Sequence, residues 1–205
     1  MALHHLLYRC PRCGADPTTG ERDRALCPSC GRTYVRVREG RRIRILDREG
    51  RVENALVQTL VGDIERQGGS LSVARRADGT VEYSADVRVT RALSEDAIVH
   101  EARLLGYIER MSDPVPGVLT ITDDALTFRP ADEPTEEHWR LRGLKAVQTS
   151  SAALQISPQD GPVVQFRFVA DSPFRWEDLL RTLLVQAYAR EGLEIVEFQP
   201  RIVAA

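Results

Sequence analysis

The stretches Cys10-Pro11-Arg12-Cys13-Gly14 and Cys27-Pro28-Ser29-Cys30-Gly31 decide the fold of the first part of this 205-residue chain. Both follow the pattern C-P-x-C-G, and together they contain all four cysteines of the sequence. In such a knuckle a tight turn directs both sulfurs inward, and the closing glycine accepts backbone angles that a β-carbon disfavours. The two knuckles therefore predict one tetrahedral metal site with four sulfur ligands: Cys10, Cys13, Cys27 and Cys30.

Zinc is the metal that this ligand set favours, and the thirteen residues between Cys13 and Cys27 suffice for one hairpin. Two alternatives stay open: two disulfides, or iron bound as in rubredoxins, which share the knuckle sequence. Residues 1–8 lack the charged and apolar regions of a secretory signal, which disfavours disulfides, and the short connection disfavours iron. With no side chain nearby to suggest an open coordination position, we expect structural Zn²⁺ that contributes on the order of 10 kcal/mol to folding.

The composition fits one ordinary core beside a small metal module, with 42% hydrophobic and 28% charged residues. Apolar runs are only a few residues long, far below the roughly 20 residues of a membrane-spanning helix. We therefore expect a cytoplasmic protein, or one attached to the cytoplasmic face of a membrane. The net charge of −2 is unevenly distributed: residues 1–51 carry twelve arginines against six acids, and the remainder carries sixteen basic against twenty-four acidic residues.

Aliphatic residues alternate with arginines between residues 35 and 45, a period-two pattern typical of a half-buried strand pair. A three-residue loop, Glu39-Gly40-Arg41, predicts that Val37 pairs with Ile43 and that Arg38 pairs with Arg42. Four guanidinium groups would then share one face, which is unfavourable unless water or an anion screens them. The candidate anion-binding or partner-binding residues are Arg36, Arg38, Arg42 and Arg44. Candidate ligands are nucleic acid, anionic lipid or an acidic protein surface, and a solvated face is the alternative.

The middle of the chain contains further predicted elements. Apolar residues at helical spacing predict an amphipathic helix from Val52 to Arg66, ending near Gly68-Gly69. Asp78-Gly79 predicts a hairpin between strands at 71–75 and 81–90. The segment 94–110 begins like a helix but has no clean apolar stripe, which slightly favours a strand, and its two prolines make 111–117 a loop.

The last third of the sequence predicts a series of strands followed by a helix. Leu119 and Ile121, the turn Asp123-Asp124, and Leu126 and Phe128 form a predicted hairpin, followed by an acidic loop at 130–137. Further strands are predicted at 139–149, 154–157 and 163–169. A capped helix is predicted from Ser172-Pro173 to Gly192, and an extended tail at 193–203.

A strand meander closed by an amphipathic helix with an early tryptophan, here Trp176, resembles the pleckstrin-homology (PH) and GRAM-like superfold, in a bacterial type, over about residues 94–191. The best local match is Gly117–Phe128, which is similar to the G-x-L-x-x-T-x-x-x-L-x-F hairpin of GRAM-type domains. Residues 7–47 resemble a zinc ribbon. These resemblances imply an α+β protein: a β-rich zinc ribbon at 1–48, a linking helix at 49–68, and at 69–205 a PH-like β-sandwich or barrel with an N-terminal hairpin extension, a capping helix and a C-terminal tail.

Phosphoinositide-binding members of this superfold carry basic residues in the loop joining their first two strands. If that loop is 111–117 here, it contains one acid and no lysine or arginine. Inositol-phosphate recognition is therefore not implied by the resemblance, and a scaffold for protein contacts remains.

No enzyme is predicted. Every cysteine is assigned to the metal, and the sequence has no Gly-x-Ser-x-Gly elbow, P-loop or dinucleotide fingerprint, so no small-molecule substrate is predicted either. The leading hypothesis is a non-catalytic zinc-binding adaptor or accessory subunit that docks on a larger protein assembly or an anionic membrane surface. The alternative is nucleic-acid binding through the ribbon, for which Tyr8 and Tyr34 are the aromatic residues nearest to the knuckles.

Overall fold

A computed structural model describes residues 2–37, 41–150 and 152–192, with side chains except at 95–99 and 104–108. The predicted tail at 193–203 lies outside the described residues. The described chain forms two lobes with separate hydrophobic cores. The first lobe consists of α1 (Leu3–Leu6), β1 (Thr19–Glu21), β2 (Arg24–Leu26), β3 (Thr33–Arg36), β4 (Arg42–Leu46), β5 (Val52–Leu56) and α2 (Val57–Arg66).

The five strands of the first lobe form one antiparallel sheet in chain order. One face of this sheet is apolar because alternate residues of β2, β3 and β4 point the same way. That face packs against α1 and α2 in a core formed mainly by Leu3, Leu7, Tyr8, Ala25, Tyr34, Ile43, Ile45, Leu60 and Ile64.

The predicted helix from Val52 to Arg66 is wrong over its first five residues. Val52–Leu56 forms β5, which pairs with β4 along its whole length, and the helix occupies only Val57–Arg66. The apolar spacing of this segment suits a helix, but β4 offers an edge of unpaired backbone groups, and pairing with that edge outweighs the local preference. The sheet of the first lobe therefore continues to Leu56.

The second lobe is a curled half-barrel sheet with a helix behind it, and the fold as a whole is α+β. Its strand order is β10-β9-β8-β6-β13-β12-β11, and β7 pairs with β6. Its elements are β6 (Glu82–His100), β7 (Arg103–Met111), β8 (Val115–Thr122), β9 (Ala125–Pro130), β10 (Glu137–Arg140), a 3₁₀ turn (Leu141–Gly143), β11 (Leu144–Thr149), β12 (Leu154–Pro158), β13 (Val164–Phe168) and α3 (Pro173–Ala189).

The strand predictions for this lobe have mixed outcomes. The 119–128 hairpin is confirmed, with Leu119 opposite Phe128 and Ile121 opposite Leu126, all fully buried. The preference for strand at 94–110 is also confirmed, because β6 and β7 pair there. The predicted loop at 111–117 is confirmed only at 112–114, because β7 ends at Met111 and β8 begins at Val115. The predicted strand at 71–75 is wrong as well, because only a single bridge, Arg75 to Val81, forms beside the turn.

The predicted start of the last helix is confirmed. The Ser172 side chain accepts a hydrogen bond from the Arg175 N–H, and Pro173 occupies the first turn. Trp176, Leu179 and Leu183 are buried against the half-barrel, so this helix completes the second core.

The start of α3 also joins the two lobes through buried charges. Arg175 bridges Asp16 of the first lobe, at 2.9 Å, and Asp171, whose second oxygen accepts from the Trp176 indole at 2.8 Å. A second bridge, Arg9 to Asp178, measures 2.5 Å. Burial raises the pKa of Asp16, and the Arg175 guanidinium opposes that rise. No helix in the described part of the chain combines the length and apolarity needed to cross a membrane.

Candidate metal centre

The two knuckles have the same backbone structure. In each, the glycine N–H donates to the carbonyl of the first cysteine at 2.9 Å, and the N–H of the first cysteine donates at 2.9 Å to the carbonyl of the residue after the glycine. Gly14 and Gly31 have φ of +73° and +71°, a region that other residues rarely adopt. The repeated C-P-x-C-G pattern therefore forms the predicted turn twice.

The knuckles bring the four cysteine sulfurs together. All four Sγ atoms lie within 4.8 Å of one another, with Cys10 to Cys30 at 3.7 Å and Cys13 to Cys27 at 3.6 Å. Zinc–sulfur bonds of about 2.3 Å in a tetrahedron separate the sulfurs by about 3.8 Å. The cysteines are free, at separations far above the S–S bond length of about 2.05 Å. The predicted grouping of all four cysteines is confirmed, and the site can hold a metal ion.

The four thiols differ in environment. Cys10 and Cys27 are fully buried, whereas Cys13 is exposed. Burial raises the pKa of Cys10 to about 12. Desolvation also acts to raise the pKa of Cys13, but hydrogen bonds from the Ala15 N–H and the neighbouring thiols lower it to about 7. A cation that binds here must displace protons, above all from the buried pair.

Tyr34 lies directly behind the buried cysteine of the first knuckle. Its hydroxyl is 3.3 Å from the Cys10 Sγ, and the residue is 1% exposed. An O–H group donates to a thiolate, so Tyr34 is placed to orient and shield this ligand. In the sequence, Tyr34 is recognisable only as an aromatic residue near the knuckles. Its contact with Cys10 spans 24 residues and leaves no signal in the sequence.

A long side chain from outside supports each knuckle. Gln67, which follows α2, donates to the carbonyls of Cys10 at 3.2 Å and Pro11 at 2.8 Å. Arg48 donates to the Ser29 carbonyl at 2.8 Å and lies so close to Gly31 that a β-carbon there would meet its Nε at 2.3 Å. Neither support was predicted from the sequence, because Gln67 and Arg48 lie far along the chain from the carbonyls that they contact.

The predicted register of the arginine hairpin is wrong by one residue. Arg36 lies opposite Ile43, and Val35 lies opposite Arg44. Directly opposed residues share a face, so Arg36 belongs to the core side, where it is half-buried and 3.8 Å from Asp23. Arg42 and Arg44 occupy the other side, and Arg38 lies outside the described residues. The predicted face shared by Arg36, Arg42 and Arg44 therefore does not form.

A different arginine takes the place of Arg36. Arg24 of β2 lies opposite Val35, which in turn lies opposite Arg44, so Arg24, Arg42 and Arg44 are on one side of the sheet. No other cluster of three or more His, Cys, Asp or Glu ligand atoms that could hold a metal lies within the described residues.

The comparisons with known proteins give little guidance. No family model matches the chain, and no curated protein does. Among solved structures, the chain is similar to the crystal structure of the C-terminal domain of an unknown protein from Leishmania infantum, at 13% identity. That match covers 52% of this chain and 87% of the other, with a TM-score of 0.33. The TM-score is too low for fold or function to be carried over.

Proposed function

We propose that the four cysteines hold a structural zinc ion and that the first lobe is a zinc ribbon. The observation that supports this is the approach of four sulfurs to within 4.8 Å, at separations near those of a zinc tetrahedron. Cys10, Cys13, Cys27 and Cys30 would be the ligands. Four thiolates fill a tetrahedral site, so the ion would stabilise the lobe and leave no position for water or substrate.

Elemental analysis of the purified full chain tests the metal. We expect one zinc per chain, lost in Cys30→Ser and retained in the matched control Ser29→Ala, which alters the neighbouring residue of the same knuckle. Iron, recognised by the visible absorption of its thiolate complex, would identify the site as an iron centre and not a zinc site. A metal-free protein whose first lobe is fully folded would contradict the proposal.

The second lobe is proposed to be PH/GRAM-like. A curled sheet followed by a C-terminal helix with an early, fully buried Trp176 supports this assignment. Inositol-phosphate recognition by members of that superfold is not carried over to this chain. The reason is that β8 begins within the predicted 111–117 loop and that this segment contains no lysine or arginine. The assignment would be contradicted by an experimental structure of the full chain in which β10 and β11 are not the two edge strands of one continuous sheet.

The function supported best is that of a non-catalytic accessory protein, which uses the ribbon to dock on a larger assembly or an anionic surface. The fully sulfur-ligated site and the positive charge of residues 1–51 beside an acidic remainder support it. Affinity purification of the tagged full chain from its native cells should recover a stoichiometric complex with wild type and Ser29→Ala, but not with Cys30→Ser. Equal recovery with Cys30→Ser, or turnover of a substrate that depends on the thiols, would overturn this function.

A further inference from the structure

The side of the first-lobe sheet that faces away from α1 and α2 combines cations with exposed aliphatic residues. Strand register places three arginines and three exposed large aliphatic residues on this side. We call this surface the outer face: Arg24, Leu26, Arg42, Arg44, Val52 and Leu56.

One acid shares the outer face with its arginines, since Glu21 of β1 lies directly opposite Arg24. Among the described residues, no carboxylate forms an ion pair with Arg24, Arg42 or Arg44. By contrast, Arg32 of the same lobe pairs with Glu53 at 3.4 Å and Arg36 with Asp23 at 3.8 Å. Arg24 and Arg44 flank Val35 on adjacent strands, and Arg42 follows two residues from Arg44 along β4. Neighbouring strands are about 4.8 Å apart, so the three guanidinium groups emerge from one small area.

The aliphatic residues of the outer face are unusually accessible. Leu26, Val52 and Leu56 are 36%, 56% and 48% exposed. They make up half of the six large hydrophobic residues that are exposed in the described part of the chain. Single exposed aliphatic residues are common on protein surfaces, but three on one sheet face beside three unpaired cations indicate a surface that something covers.

We propose that the outer face binds an anionic lipid bilayer, an inference that rests on the proposed docking function and names its target. Membrane-surface binding needs apolar area and cations together, and the outer face supplies both. Guanidinium groups would bind lipid phosphates while the leucines and valine enter the headgroup boundary.

The residue composition of the outer face favours a bilayer over a protein. Specific protein interfaces are anchored by aromatic residues seated in pockets. The described strand residues on this side of the sheet include no aromatic residue. Neither of two cavities in the described chain offers a pocket on the outer face. A groove of 580 Å³ between α2 and α3 and a cleft of 750 Å³ beside Asp171 are both lined by other residues. Nucleic acid would use the arginines but would gain nothing from the aliphatic residues, and stacking would require aromatic rings.

The arrangement of the lobes keeps like charges away from such a membrane. The core side of the sheet packs on α1 and α2, and Phe174 of α3 joins the same cluster. The acidic second lobe therefore attaches to the side of the sheet opposite the outer face. The outer face can approach a negative surface while the net negative charge of the second lobe lies behind it.

Co-sedimentation of the zinc-loaded full chain with vesicles tests the proposal. We expect binding to phosphatidylcholine vesicles that contain phosphatidylserine, weak binding to phosphatidylcholine alone, and loss of binding at high salt. Each arginine near an anionic surface strengthens binding about fivefold, so R24S/R42S/R44S should weaken it on the order of 100-fold. L26S/V52S/L56S should also weaken it, because the aliphatic contribution is lost.

The matched control is R76S/R129S/R140S, which removes three exposed arginines of the second lobe and changes the net charge equally. It should bind like wild type, and the zinc content of every variant should be unchanged. Absence of phosphatidylserine-dependent binding at low salt overturns the inference, as does equal loss in the control. Binding to labelled duplex DNA or to polyglutamate, but not to vesicles, overturns it in favour of nucleic acid or an acidic protein. If zinc is present but vesicles are not bound, only this inference fails; if zinc is absent, the proposed function fails.

Discussion

The two lobes differ in the size of the hydrophobic core that stabilises each of them. The core of the second lobe contains nineteen buried apolar residues in the described chain, including Trp176 and Phe128, whereas that of the first lobe contains eleven, of which two are cysteines of the candidate metal site. A core that small rarely sustains a fold without a covalent or metal cross-link. The half-barrel should therefore depend on apolar burial, and the first lobe on the ion. This contrast can be tested residue by residue.

Metal removal should produce the largest difference between the lobes. Addition of a chelator, or the substitution Cys30→Ser, should lower the folding stability of the first lobe by on the order of 10 kcal/mol and unfold it. Hydrogen exchange should show loss of protection in β2 to β4, while the 119–128 hairpin keeps its protection. Loss of protection in both lobes together would show that they fold as one unit, and Ser29→Ala serves as the control.

Breaking the joint between the lobes should have the next largest effect. Arg175→Met leaves Asp16 and Asp171 buried without their cation, and breaking a buried pair costs about 3–5 kcal/mol. Urea unfolding followed by tryptophan fluorescence measures this loss. The control Arg76→Met breaks an exposed pair with Glu82 and should cost at most about 1 kcal/mol. Equal effects of the two substitutions would show that the buried charges are not what joins the lobes.

Removing the hydroxyl of Tyr34 should affect only the metal centre. Tyr34→Phe deletes the contact with the Cys10 sulfur and should lower zinc affinity on the order of tenfold, measured by competition with a chelating dye. Tyr8→Phe removes another buried hydroxyl of the same lobe, one that accepts from Arg9 and interacts with Asp178 of α3. It should leave zinc affinity unchanged, and an equal decrease would assign the effect to general loosening of the core.

The smallest predicted effect concerns Glu177, on the face of α3 towards α2. Burial raises its pKa above the ordinary value of 4.5, so the ionised form destabilises the folded protein at neutral pH. Glu177→Gln should therefore increase the free energy of unfolding at pH 7, on the order of 0.5 kcal/mol. The gain should shrink as pH falls through the raised pKa and vanish below 4.5. A gain that persists in acid, or appears equally in the exposed Glu136→Gln, would contradict this.

Local patterns in the sequence were sufficient where neighbouring residues alone determine the structure. The knuckles, the 119–128 hairpin and the Ser172 cap each depend on a few adjacent residues, and all three form as predicted. The strand at Val52–Leu56 could not be predicted in this way, because its pairing partner β4 determines its conformation.

The register of the arginine hairpin and the joint between the lobes depend on information that local patterns do not contain. A shift of one residue between β3 and β4 exchanges the faces of one strand relative to the other. The alternation of aliphatic residues and arginines favours the wrong register, because Tyr34 and not Val35 fills the core side of β3 beside Ile45. The pairs Arg9–Asp178 and Arg175–Asp16 join residues 169 and 159 positions apart, and nothing in the sequence near either end indicates its partner.

The placement of the site along the chain also imposes an order of events during synthesis. Every residue that lines or supports the metal centre, from Cys10 to Gln67, leaves the ribosome well before α3 is made. If the four cysteines hold the proposed ion, it can be captured while the half-barrel is still being translated, in keeping with the folding of nascent chains from the N-terminus. Arg9 and Asp16 can pair with Asp178 and Arg175 only after α3 has been made, so docking of the last helix joins a first lobe made much earlier to a second lobe that has just been completed.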